Sequence, residues 1–275
     1  MLNISNEIRL LHGRGMSQVK MSKLLKCSLN TIRRKMYKMN LSGHSVGVSR
    51  SNIKQDLYNS IDSEEKAYWL GFILADGCIA KSGGTQRTIR VSLQRRDEQH
   101  LRKLAKFLGF NNKFYYDTRN CHQRIVMVFN AMGLASRLLQ CGWNDFKKLG
   151  NTRILNAVPP AYQEHLLRGY FDGDGCISIS KTKRKLRNHR WYANIVCKHE
   201  EPLWWFNSVI KSGTGIDRKV NHWLSRKPNS NGIYDLKWEG ATQLARVLNF
   251  MYDNASIYLD RKFARTKLFL SGDLT

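Results

Sequence analysis

Residues 69–77 read WLGFILADG and residues 167–175 read LRGYFDGDG, and Cys-Ile follows each, at 78–79 and 176–177. The two stretches stand 98 positions apart and share an apolar run, a glycine in third place and a closing Asp-Gly. Each reads as the end of a helix, over 63–76 and 161–174. Glycine inside a helix costs roughly 1 kcal/mol relative to alanine. Its recurrence at one place predicts that two helices approach closely there, with Gly71 against Gly169. Helices packed side by side and parallel bring their C-terminal ends together. Each end then delivers an acid, Asp76 or Asp174, with unpaired last-turn carbonyls and the negative end of the helix dipole. Such groups repel unless a hard divalent cation sits among them, and Mg2+ favours oxygen donors of this kind. With phosphates opposite, the arrangement becomes a two-metal phosphodiester site.

Taken alone, Asp172-Gly173-Asp174-Gly175 resembles the start of a calcium loop. The twelfth position of that loop needs a bidentate acid and here holds Lys183, while Cys176 stands where a fifth-position oxygen belongs. That reading is excluded.

Around the paired stretches the chain runs twice through one order of elements. In the first pass, strands are expected at 78–82 and 86–94, a helix at 97–108 closed by Gly109, strands at 112–117 and 123–130, and a helix at 132–141. The second pass follows Pro159-Pro160 with strands at 176–181 and 191–198, a helix at 201–211, strands at 216–224 and 232–238, and helices at 241–250 and 255–270. In 86–94, Ile89, Val91 and Leu93 alternate with Thr88, Arg90, Ser92 and Gln94; in 191–198, Ala193, Ile195 and Cys197 alternate with Tyr192, Asn194 and Lys198. A period this long points to an internal duplication, not a solenoid.

Forty-six Lys and Arg stand against twenty-one Asp and Glu in the 275 residues, a formal net charge of +25 with a pI near 10.1. Self-repulsion on that scale calls for a polyanionic partner. The basic residues are spread along the chain instead of lining one amphipathic helix, which argues against a membrane surface. No apolar run is long enough to span a bilayer, and the first residues lack a secretory signal. The six cysteines form no C-x-x-C pair, so a zinc knuckle is not indicated. The expected setting is intracellular and DNA-associated, with reduced thiols.

The first 50 residues carry ten Lys/Arg and one acid, Glu7. Ser17 and Ser28 are placed to cap helices over 17–26 and 28–39. Leu29, Ile32, Met36 and Met39 share one face of the second helix. Residues 1–41 thus resemble a helix-turn-helix, whose second helix would present Asn30, Thr31, Arg33 and Arg34 to a major groove. Lys26 stands in the turn where glycine is usual. Residues 42–59, Ser/Gly-rich at their start, read as a flexible linker.

The paired nine-residue stretches resemble the two signatures of single-chain LAGLIDADG homing endonucleases, and Tyr258-Leu259-Asp260-Arg261-Lys262 is similar to that family's C-terminal region. The resemblance covers roughly 60–270 and implies an α+β fold: two pseudo-symmetric αββαββα halves, 60–152 and 153–275, whose four-stranded sheets form a DNA-binding saddle. It implies that Asp76 and Asp174 bind metal with the carbonyls of Ala75 and Gly173. Two or more Mg2+ ions would be shared between the halves, with Mn2+ as a substitute. Leu74 stands where the second copy has Asp172, a departure from the usual acid. It also implies a basic or amide residue beside each scissile phosphate, with Gln94, Lys198 and then Lys237 as candidates. Arg87, Thr88, Arg90, Ser92, Tyr192 and Asn194 are expected on the DNA-facing sheets. Arg suits guanine and Asn suits adenine, and both suit phosphate. Lys181, Lys183, Arg184, Lys185, Arg187 and Arg190 form a phosphate-binding segment.

The expected activity is that of a monomeric, site-specific double-strand DNA endonuclease on a long non-palindromic target, of the kind that mobilises an intron or intein. A maturase binding intron RNA, or a non-catalytic transcription regulator, would use the same scaffold.

Overall fold

A computed structural model of the chain describes residues 4–13, 16, 18–39, 41, 53, 58, 60–82, 86–117, 123–140, 143–144, 148–181, 189–224 and 232–272. The chain divides into two compact units, Met1–Ser51 and Asn52–Thr275.

The first unit holds helices α1 (Ile4–Gly13), α2 (Gln18–Leu24) and α3 (Leu29–Lys38) around a small core of Ile8, Leu11, Met21, Ile32 and Met36. Ser28 caps α3, its hydroxyl accepting from Thr31 N at 3.1 Å. Between α2 and α3, Lys26 takes a left-handed φ of 47°, the conformation for which glycine is usual at such a turn. Cys27 N donates to Ser22 O at 3.1 Å and the Ser22 hydroxyl to Cys27 O at 2.7 Å, which closes the turn around Lys26. Ser17 lies outside the described residues.

In the second unit, α4 (Glu64–Asp76) starts at a Ser63 cap and runs into β1 (Gly77–Ser82) and β2 (Gln86–Gln94). There follow α5 (Glu98–Leu108), ended by left-handed Gly109, then β3 (Tyr115–Asp117), β4 (Arg124–Asn130) and α6 (Met132–Gln140). A short ladder, β5 (Trp143–Asn144) with β6 (Lys148–Leu149), and helix α7 (Arg153–Asn156) lead to the second pass. That pass consists of α8 (Gln163–Asp174), β7 (Gly175–Lys181), β8 (His189–Cys197), α9 (Glu200–Thr214), β9 (Val220–Trp223), β10 (Ile233–Glu239), α10 (Ala241–Tyr252) and α11 (Asp260–Ser271).

Two antiparallel four-stranded sheets result, ordered β1-β2-β4-β3 and β7-β8-β10-β9. Their registers match across the repeat: Gly77 lies opposite Val91, and Gly175 opposite Ile195. Ile89, Val91 and Leu93 face the helices in one sheet, as Ala193, Ile195 and Cys197 do in the other, and all six are buried. This is the α+β duplication expected from the alternation.

Three details differ from expectation. Strand β3 covers Tyr115–Asp117 and β9 covers Val220–Trp223, because only these residues find a ladder partner at the sheet edge. The last helix begins at Asp260 instead of 255, since the chain before it is held extended by Leu259 N donating to Asp172. The ladder at 143–149 was not anticipated, and its Trp143 is fully buried. Most of the expected linker, 42–59, lies outside the described residues; Ile53 and Tyr58 within it are buried in the core of the second unit.

Candidate active site and nucleic-acid interface

Helices α4 and α8 pack along their length at the centre of the second unit. The two mid-helix glycines explain how. A Cβ on Gly71 would lie 2.0 Å from Leu166 O, and one on Gly169 would lie 1.9 Å from Tyr68 O. Each helix therefore presses its backbone on the other, and any side chain at either position would force them apart. At the C-terminal ends Gly173 sits against Ala75, and a Cβ there would come within 2.4 Å of the Ala75 methyl and 3.2 Å of Asp76 Oδ2. The parallel approach thus delivers Asp76, partly buried, and Asp174, exposed, to one place.

Two groups sense both acids. The Tyr170 hydroxyl is raised well above its ordinary range by burial first, then by Cys197 and by the charges of Asp174 and Asp76. The Lys262 ammonium is lowered to about 8 by burial, against the pull of Asp172, Asp76 and Asp174. Lys262 is only 4% exposed. Its Nζ donates to Asp172 O at 2.8 Å, to Gly175 O at 2.6 Å and to Phe171 O, which ties the last turn of α8 to the start of β7. The Gly173 carbonyl is not among these acceptors. Two carboxylates and helix-end carbonyls offer oxygen donors only, a set that fits a hard divalent cation. Among the described residues, no group of three His, Cys, Asp or Glu side chains converges to hold a metal.

Asp172 points elsewhere. It is buried, and it accepts from Tyr68 Oη at 2.7 Å, Tyr252 Oη at 2.5 Å and Leu259 N at 2.7 Å. Its carboxyl is raised above the ordinary range by burial, a rise opposed by Lys262 and by these donors. Beside it, Arg168 reaches Ile257 O and Met251 O, both at 3.0 Å, and pairs with Glu64 at 2.5 Å. These bonds tie the segment before α11, and with it Lys262, to both central helices.

The faces of the sheets turned away from the helices carry the expected interface. Arg90 and Ser92 are partly buried there, Gln94 is exposed, and Thr88 is only 3% exposed. Arg190 is exposed on the second sheet, with Tyr192 and Asn194 partly buried beside it. Asn194 Nδ2 donates to Asp235 at 2.7 Å, while Lys237 stands 4.7 Å over the Tyr192 ring and pairs with Glu239 at 3.1 Å. Gln94 and Lys198 occupy equivalent places, each three residues beyond the residue opposite an Asp-Gly glycine, and Lys198 is exposed. Lys237 lies further off, opposite Asn194, which is itself opposite Cys176. Arg87 stands in β2 opposite Lys81, and Lys181 ends β7 opposite His189. Lys183, Arg184, Lys185 and Arg187 lie outside the described residues. In the first unit, Asn30, Arg33 and Arg34 are exposed on α3 with Tyr37, which is 83% exposed, and Thr31 is partly buried.

Sequence reasoning left Lys262 and Tyr170 out of the site. The signal for Lys262 was its place on the apolar stripe of α11, in step with Leu259, Phe263 and Thr266, where a charged side chain needs an explanation.

Two αββαββα halves joined through glycine-contacting helices, with one acid at each helix end, define the LAGLIDADG fold. Residues 161–251, most of the second half, match the LAGLIDADG-like domain family. Among solved structures, the chain is similar to the meganuclease I-SmaMI bound to uncleavable DNA with a TTCT central four, with a TM-score of 0.50 and 14% identity over 76% of this chain and 90% of that one. I-SmaMI bound to uncleaved DNA in the presence of calcium ions gives 0.50 and 11% over 77% and 90%. The LAGLIDADG homing endonuclease I-LtrWI bound to target DNA gives 0.49 and 10% over 76% and 90%. No curated protein matches the chain.

Proposed function

We propose that the protein is a site-specific, divalent-metal-dependent double-strand DNA endonuclease that acts as a monomer. The observation that carries this reading is the convergence of Asp76 and Asp174 at helix ends forced together by Gly71 and Gly169, between two open sheets of a +25 chain. Magnesium is the expected cation; when bound it neutralises phosphate charge and activates water. Asp76 and Asp174 hold it, one for each strand, with the carbonyls of Ala75 and Gly173. Gln94 and Lys198 stand where they can meet the scissile phosphates. Lys262 supplies a buried positive charge next to both acids, and it keeps the end of α8 in shape. Arg90, Ser92, Tyr192 and Asn194 face the major groove and contribute to target choice.

The left-handed Lys26 turn, the Ser28 cap and the exposed Asn30, Arg33 and Arg34 support a second DNA contact through α3. That contact would extend the recognised site beyond the saddle.

The test is single-turnover cleavage of a target selected from a randomised duplex library in Mg2+. Asp76→Asn and Asp174→Asn should each abolish double-strand cleavage while target affinity persists. Full cleavage by either variant would refute the metal assignment.

A further inference from the structure

The open face of the second sheet is not uniformly polar. Val196 in β8 lies opposite Asp235 in β10, and Ile233, two residues before Asp235, lies opposite Trp223 in β9. Opposed residues of an antiparallel pair share a face, and so do residues two apart along a strand. Val196, Ile233 and Trp223 therefore form one band across three strands, on the face that carries Asn194 and Lys237. They are 37%, 43% and 60% exposed. Leu236 and Trp238, on the other face, are fully buried.

The band starts at Val196, one residue past Ile195, which lies opposite Gly175 beside Asp174, and runs outward to Trp223 on β9, the edge strand furthest from β7. Only its Val196 end is near the acid site, and the band lies at the opposite end of the strands from the β7–β8 connection. Its surroundings name its partner. Exposed Lys198 follows β8, and Lys237 shares the face with Asp235, which is only 5% exposed and accepts from Asn194 Nδ2. An apolar strip framed by cations on a strongly basic chain complements a polyanion that presents apolar groups from within. A DNA major groove does this in one way, through the 5-methyl group of thymine.

We propose that Val196, Ile233 and Trp223 are specificity residues that read thymine methyl groups on the side of the target addressed by the second half. This rests on the endonuclease reading above. Asn194 and Lys237, on the same face, leave hydrogen-bonded readout to neighbouring pairs.

Replacing thymine by uracil removes the methyl group and leaves every base-edge hydrogen bond intact, so the probe alters no part of the protein. The selected target is resynthesised with deoxyuridine at each thymidine of that half-site, one at a time and together. Each methyl that meets the band should be worth about four-fold in affinity. Trp223→Ala and Ile233→Ser, both at exposed positions, should bind thymine and uracil duplexes alike. Equal binding of the two duplexes by the unaltered protein, or a selected target without thymine in that region, would overturn the methyl reading and leave the endonuclease intact. Failure to enrich any sequence, in binding or in cutting, would overturn both. Concentration-dependent dimerisation of the DNA-free protein, abolished by Trp223→Ala, would make the band a self-association surface and also refute the proposal.

Discussion

The buried carboxylate of Asp172 draws three donors to itself, and one of them, Tyr68, continues to His100, whose Nε2 lies 2.9 Å from the same hydroxyl oxygen. Tyr68 donates to the carboxylate, so His100 donates to Tyr68 from Nε2. Burial lowers the His100 imidazole to about 3. Above pH 6.5, its ordinary value, the ring is neutral whether the chain is folded or not, and its contribution to stability is complete. As pH falls from 6.5 towards 3 the unfolded chain gains a proton that the folded chain refuses, and about 1.4 kcal/mol is lost per pH unit. His100→Gln keeps an N–H for Tyr68 and does not titrate. The drop in urea-unfolding free energy from pH 7 to pH 5 should therefore shrink by about 2 kcal/mol in this variant, and an unchanged drop would contradict the account. Lys262 is a second residue with a definite expectation. Lys262→Met removes the positive charge next to both acids and should slow cleavage on the order of 100-fold, measured at saturating enzyme, with target binding largely kept.

Among the elements, the α4–α8 pair sets the geometry of everything else. Gly169→Ala places a methyl on the Tyr68 carbonyl and should cost about 3 kcal/mol, read as a lower melting temperature, together with loss of cleavage. Gly133→Ala is the control. Nothing lies within 4 Å of a Cβ at that position in α6, so the change should be neutral or mildly stabilising. This helix pair was legible in the sequence because a repeated mid-helix glycine has few physical explanations. The central strands were legible too, since Ile89, Val91 and Leu93 alternate with polar residues over a long run. The edge strands were not. Tyr115–Asp117 and Val220–Trp223 owe their extent to which partner residues reach them, and local pattern carries no record of that. The short ladder around Trp143 was equally hidden, because its residues are strand only by virtue of packing against the finished core. Of the candidate site, the close approach of the two helix ends that carry Asp76 and Asp174 could be read directly. Lys262 could not be assigned, because its role depends on a contact between residues about ninety positions apart.

For the whole molecule, the formal charge of +25 makes the proposed contact with DNA strongly electrostatic. Target affinity should fall steeply with salt, linearly on a double-logarithmic plot. Removing residues 1–51, a unit with its own core, should weaken binding and flatten that slope while leaving residual cleavage by the saddle. Loss of all cleavage with the saddle still folded would refute independent roles for the two units. The bonds that cross between the halves carry a further consequence. Tyr68 donates to Asp172, and Arg168 pairs with Glu64. At the repeat-equivalent positions, the second half has Leu166 in place of Tyr68 and Tyr162 in place of Glu64. The first half has Leu74 in place of Asp172 and Leu70 in place of Arg168. Neither half contains both members of either pair. Two copies of the second half would bury Asp172 without Tyr68, keeping only Tyr252 and the Leu259 amide, and Arg168 without Glu64, and two copies of the first would have neither bond. The two halves are therefore complementary and not interchangeable, and one chain carrying both guarantees that each meets its unlike partner.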